Sequence, residues 1–214
     1  MPLRMLIRRC SSAMLALMCM SGQAETRADL THAVDAIWRV RSTTLHFQSP
    51  NTYYYCDILQ QRVVDIMRAV GAGDPMDVSA KCSVGSLIND TSIRIVAGLP
   101  VEATEANVRA ETTFDTRTEL VAQTRNWTLP TPQTMRRFRA LRTEVPFARI
   151  EKLHLSPSDC DLLAAMSQQV FPQFGIRTIV PLYCTPGSQP LARPGLVVEA
   201  LIPVTSLSAA AIGK

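Results

Sequence analysis

Two stretches of the chain carry apolar residues at helical spacing. After Tyr55-Cys56-Asp57-Ile58-Leu59, apolar side chains recur at Val63, Ile66, Met67 and Val70; after Asp159-Cys160-Asp161-Leu162-Leu163, they recur at Met166, Val170, Phe171 and Phe174. The i, i+3, i+4, i+7 pattern predicts an amphipathic helix in each. Gly71 and Gly175 stand where each helix should stop. Each predicted helix leads into an apolar stretch that reaches a cysteine, Val78 to Cys82 and Ile176 to Cys184. Turn chemistry follows at Val84-Gly85-Ser86 and Thr185-Pro186-Gly187-Ser188. A third apolar stretch then runs from Ile93 to Val101 and from Leu196 to Val204, ending each time in apolar-Pro-Val. Before each helix stands a short apolar segment and a Ser-Pro pair: Leu45-His46-Phe47 with Ser49-Pro50, and Leu153-His154-Leu155 with Ser156-Pro157.

The landmarks keep a nearly constant offset. Cys56 and Cys160 are 104 positions apart, Cys82 and Cys184 are 102, and Pro100 and Pro203 are 103. This agreement predicts an internal repeat and an α+β fold of two tandem β-α-β-β units. Each unit is expected to hold a mixed three-stranded sheet, its first two strands joined by a right-handed parallel crossover. The expected organisation is a first unit at 25–101 with an N-terminal extension, a polar Thr/Pro-rich linker at 102–137, a second unit at 138–204 and a flexible tail at 205–214.

The N-terminal segment, 1–24, reads as an export signal. Arg4, Arg8 and Arg9 form a basic start, Ala13 to Met20 an apolar run, and Gly22-Gln23-Ala24 a cleavage site. The apolar run is too short to span a bilayer. Arg8-Arg9 lacks the flanking pattern of a twin-arginine signal, and Met18 before Cys19 makes a poor lipidation site. Composition then changes meaning. The formal charge of +4 from 22 basic and 18 acidic residues falls to +1 once the three arginines of the signal are set aside. The basic balance therefore gives no support to polyanion binding, and nucleic acid is excluded as a partner for want of any recognition motif.

Six cysteines become four in the mature chain: Cys56, Cys82, Cys160 and Cys184. An exported chain with four cysteines predicts two disulfides among three connectivities. The repeat selects Cys56 with Cys82 and Cys160 with Cys184, one bond inside each unit.

Between the units, Asp115 is placed to N-cap a helix over residues 116–123. Trp127-Thr128-Leu129-Pro130-Thr131-Pro132 reads as extended chain. Arg136, Arg137, Arg139 and Arg142 follow. These arginines, with Trp127 and Phe138 near them, read either as an anion or partner surface or as a solvated linker. Tyr53-Tyr54-Tyr55 forms the densest aromatic cluster, at a helix entry where at least one ring should face outward. The candidate binding surface is thus Tyr53, Tyr54, Tyr55, Trp127, Arg136 and Arg137.

No catalytic motif is present: GxSxG, HExxH, a P-loop and CxxC pairs are all missing. His46 and His154 occupy similar places before the two helices, but metal-ligand spacing is lacking and no metal or cofactor is implied. Asp57 and Asp161 lie in the first turn of each helix, where a carboxylate offsets the dipole.

The stretch Tyr54-Tyr55-Cys56-Asp57-Ile58-Leu59, with Gly71-Ala72 and Cys82 downstream, resembles a group of uncharacterised exported proteobacterial proteins. That group carries a Tyr-x-Cys-Asp-x-Leu helix entry and paired downstream cysteines. Asp159-Cys160-Asp161-Leu162 to Cys184 resembles its C-terminal part. The resemblance implies a periplasmic setting and no particular chemistry. The expected function is that of a periplasmic or secreted, non-enzymatic binding or protein-interaction module, its partner an envelope protein or a glycan or peptide ligand. It is not expected to be an integral membrane protein. The alternatives are an envelope enzyme with a site between the two units, drawing on His46, His154, Asp57 or Asp161, and a metal or redox module.

Overall fold

The computed structural model describes residues 30–184 and 194–206. The export signal, the turn at 185–188 and most of the tail expected at 205–214 lie outside these residues. The described strands are β1 (Val34–Gln48), β2 (Tyr54–Tyr55), β3 (Gly73–Ala80), β4 (Leu87–Ile88), β5 (Asp90–Glu102), β6 (Phe138–Pro146), β7 (Arg177–Tyr183) and β8 (Gly195–Pro203). The helices are α1 (Cys56–Ala69), α2 (Glu105–Thr112), α3 (Thr116–Thr124) and α4 (Cys160–Ala165).

The fold is α+β with two disulfides, and the expectation of two separate three-stranded sheets is overturned. Six strands form one sheet in the order β3-β5-β1-β6-β8-β7, and β2 pairs with β4 in a small second sheet. The expected mixed pairing is corrected as well, because every pairing in the large sheet is antiparallel. In the first half the returning strand β5 inserts between β1 and β3, so the two strands on either side of the helix never meet. In the second half β8 inserts between β6 and β7 in the same way. The halves join where Val34, Asp35 and Ala36 of β1 face Ala140, Arg139 and Phe138 of β6. A three-stranded sheet with one helix buries too little apolar surface and leaves two bare edges. Joining the first strands removes one edge from each half. The remaining edges, β3 and β7, carry Pro75 and Pro181, which lack the N–H that a further strand would need.

One hydrophobic cluster spans both halves. It holds Leu45, Phe47, Leu59 and Ile66 together with Phe147, Leu162, Phe171 and Val198. Gly71, at φ +91°, ends α1 in a backbone conformation that favours glycine. A Cβ there would come 2.9 Å from the Leu201 carbonyl oxygen, so the close approach of α1 to β8 requires glycine. The second helical segment changes pitch. α4 passes into a π turn over Met166–Val170 and a 3-10 turn over Phe171–Phe174. Pro172 has no N–H to continue an α-helical ladder there.

Two local expectations also change. Leu153-His154-Leu155, expected to match the strand at Leu45–Phe47, instead follows a 3-10 turn over Glu151–Leu153, and His154 takes a left-handed conformation at φ 45°. The strand of that half, β6, has already ended at Pro146. The span 102–137 contains α2 and α3. Asp115 caps α3 by accepting from the Thr118 N–H at 2.7 Å, and α2 docks through Glu111 and Asn107 onto Arg39 of β1.

Candidate functional site

The structure brings Arg39 and Arg41, which the sequence did not single out, together with Arg142 of the basic cluster. β1 buries Leu45 and Phe47 on one face. Residues 43, 41 and 39 share that face, because side chains alternate along a strand. Arg39 and Arg41 therefore stand on the face that farther along buries leucine and phenylalanine. Their cross-strand neighbours on β5 are Leu99 and Ala97. The helical cover stops short here, and the 3-10 turn at Phe171–Phe174 closes one side. The result is a cleft of two adjoining hollows of about 130 and 250 Å³, both lined by Leu99, Val101, Phe174 and Gly175. Leu201 of β8 and Ile176 extend its apolar wall, and Arg39, Arg41, Glu102 and Arg142 form its polar rim.

Ion pairs hold most of that rim. Arg39 donates from Nε to Glu111 at 2.6 Å and from a guanidinium nitrogen to the Asn107 side-chain carbonyl at 3.1 Å. Arg142 bridges Glu102 at 2.5 Å and Glu199 at 3.4 Å, and Arg177 reaches Glu199 at 3.1 Å. The Glu102 hydrogen bond is the main cause holding the Arg142 guanidinium's pKa above its ordinary value. Arg41 differs. It donates to the Gln173 carbonyl at 2.9 Å and, among the described residues, forms no ion pair.

The sequence-derived surface residues do not form one site. Tyr54 is buried, whereas Tyr53 and Tyr55 are 57% and 56% exposed. Tyr55 faces Leu87 across the small sheet. Trp127 lies beyond α3 and is 59% exposed. Asn126, at φ 52°, turns the chain after α3, and the Trp127 N–H donates to the Ala122 carbonyl at 2.9 Å. The Arg125 guanidinium sits 5.0 Å from the indole centroid. A shallow, open depression lies beside this ring, with Glu119, Gln123, Asn126 and Thr128 along it. Arg136 and Arg137 are exposed in the same middle segment. Phe138 instead stacks on Trp38 with centroids 4.7 Å apart, and Arg139 pairs with Asp35 at 3.2 Å.

His46 and Asp161 have local partners. His46 Nδ1 lies 3.1 Å from the Ser92 hydroxyl, and its backbone exchanges hydrogen bonds with the Gln169 amide at 2.9 and 3.0 Å. The Ser49 hydroxyl donates to Asp161 and accepts from the Asn51 and Thr52 N–H groups. Asp57 lies exposed in the first turn of α1. Among the described residues no cluster of histidine, cysteine or carboxylate could hold a metal ion. No described helix is long and apolar enough to cross a membrane. The cysteines pair as Cys56–Cys82 and Cys160–Cys184, with Cα separations of 6.0 and 6.1 Å.

Tyr54 enters a buried polar cluster instead of a surface. Its hydroxyl donates to Asp159 at 2.8 Å. Burial, reinforced by the Asp159 charge, pushes the phenol well above its ordinary value. The protonated phenol is the form that the fold stabilises. That contribution is complete below the unfolded-state pKa of roughly 10 and is lost as pH rises above it. The stability difference between the natural chain and Y54F should therefore narrow as urea unfolding is moved from pH 8 to pH 10.5. A difference that stays constant over that window would contradict this account.

No protein-family model, curated protein or solved structure matches the chain.

Proposed function

We propose that the mature chain acts outside the cytoplasm as a non-enzymatic binding module that engages a glycan or peptide through the surface around Trp127. The observation that carries this reading is the exposed indole beside a shallow depression bordered by amide, carboxylate and hydroxyl side chains. An indole offers a flat apolar face and one donor. Gln123, Asn126, Glu119 and Thr128 offer directional hydrogen bonds around it. The Asn126 turn and the backbone bond to Ala122 fix the main chain that carries the ring, and the Arg125 guanidinium sits against the ring itself, which lowers the ordering cost left for binding. The export reading rests on the basic-apolar-small pattern of residues 1–24. The paired cysteines and the likeness to exported proteobacterial proteins support the same setting, because disulfides persist in oxidising compartments.

Glycan and peptide arrays probed with the mature chain and with W127A test the reading. Selective binding is expected for the natural chain, with at least a tenfold loss in W127A at unchanged circular dichroism. Equal binding by W127A, or no binding on either array, would remove it. N-terminal sequencing of protein recovered from a bacterial periplasm should begin at Glu25.

A further inference from the structure

A second site, separate from Trp127, lies in the cleft between β5, β8 and the Phe171–Phe174 turn. We propose that this cleft binds a small carboxylate with an apolar body, its anionic group on Arg41 and its apolar part on Leu99, Val101 and Phe174. Arg39 is half-buried and Arg41 is exposed at the mouth of the cleft, both on the strand face that farther along buries Leu45 and Phe47. Arg39 is satisfied within the protein, through Glu111 and Asn107. Arg41 has, among the described residues, one acceptor, the Gln173 backbone carbonyl, and its remaining donors are open to a ligand entering the cleft.

The charge count around the cleft points the same way. The ion-pair network that reaches the cleft rim sets three arginines, Arg39, Arg142 and Arg177, on three glutamates, Glu111, Glu102 and Glu199, and none of these pairs includes Arg41. One positive charge is left over, and it belongs to Arg41. A planar guanidinium with free donors matches a carboxylate in charge and shape. Below it the wall is apolar: Leu99 and Phe174 are nearly buried and Val101 is half-buried. The two hollows together fall just inside the lower end of the roughly 300–1,000 Å³ that holds small organic ligands. That size suits a short acyl chain or one or two apolar side chains, not a folded partner.

The same chemistry could come from a free fatty acid or from the C-terminus of an apolar peptide, and the probes separate the two. Calorimetric titration of the mature chain would use octanoate, octanol, acetate, and a Leu-Phe dipeptide as free acid and as amide. The cleft should bind octanoate or the dipeptide acid, and bind octanol, acetate and the dipeptide amide at least tenfold more weakly. R41Q should lose the preferred acid by at least tenfold. R137Q, which alters an exposed arginine outside the cleft, should leave it unchanged. Binding of octanoate alone assigns a lipid-derived acid, and binding of the dipeptide acid alone assigns a peptide terminus. Equal binding of octanol, unchanged binding by R41Q, or no binding of either acid would overturn the proposal. W127A should bind the acid normally, so this result stands apart from the array experiment.

Discussion

Replacing Asp159 with alanine is expected to cost about 3–5 kcal/mol, the range found when one partner of a buried charge cluster is removed. Asp159 is 1% exposed, and its carboxylate is enclosed by donors. The Ser156 N–H and hydroxyl donate to one oxygen at 2.7 and 2.8 Å. The Tyr54 hydroxyl donates to the other at 2.8 Å, and Arg62 Nε lies 3.5 Å from it. Arg62 also donates to the Leu153 carbonyl. Tyr54 and Arg62 come from the first half, and Asp159, Ser156 and Leu153 from the second. Alanine would leave a buried phenol and part of a guanidinium without an acceptor, and each such loss carries a desolvation penalty of about 1–3 kcal/mol. D159N keeps the shape and one acceptor oxygen and should cost less than D159A. Y54F removes a donor without stranding a charge and should cost least. Urea unfolding of the three variants gives the order directly. A cost below about 1 kcal/mol for D159A would show that the cluster does not hold the halves together.

Removing either disulfide is expected to cost about 3.5 kcal/mol, the chain-entropy value for loops of this length. Cys56–Cys82 closes a separation of 26 residues and Cys160–Cys184 one of 24, so the two losses should be nearly equal. Each bond ties the first residue of a helix to the end of the next strand segment. C56S/C82S and C160S/C184S, compared with the natural chain by urea unfolding, measure the two costs. Because one core contains both halves, either variant should still unfold in a single transition. Separate transitions for the two halves would contradict a shared core.

How much of this was legible in advance differs by element. The disulfide pairing followed from offsets along the chain. The α1 and α4 segments followed from periodicity, and the Asp115 cap from residue type. The cleft was legible only in part. Arg39 and Arg41 share strand parity with Leu45 and Phe47, but that signal appears only if β1 is read from Val34, and its apolar centre suggested a start near Leu45. Asp159 gave no signal, because a carboxylate just before a helix normally reads as a solvated cap. Its burial depends on Tyr54 and Arg62, which arrive from about a hundred residues away.

Local chemistry along the chain therefore determined the α1 and α4 segments, the α3 cap and which cysteines meet, since those depend on periods and spacings of a few to a few dozen residues; it missed α2 and misplaced the strand that opens the second half. Tertiary structure alone decided that the returning strands β5 and β8 insert between their partners, that β1 and β6 join the halves into one sheet, and that an arginine on a core-facing strand looks into a cleft. The physical reason is that strand edges and half-filled cores impose no preference until another part of the chain is present to cover them. The halves met because each alone left too much apolar surface and too many backbone groups uncovered.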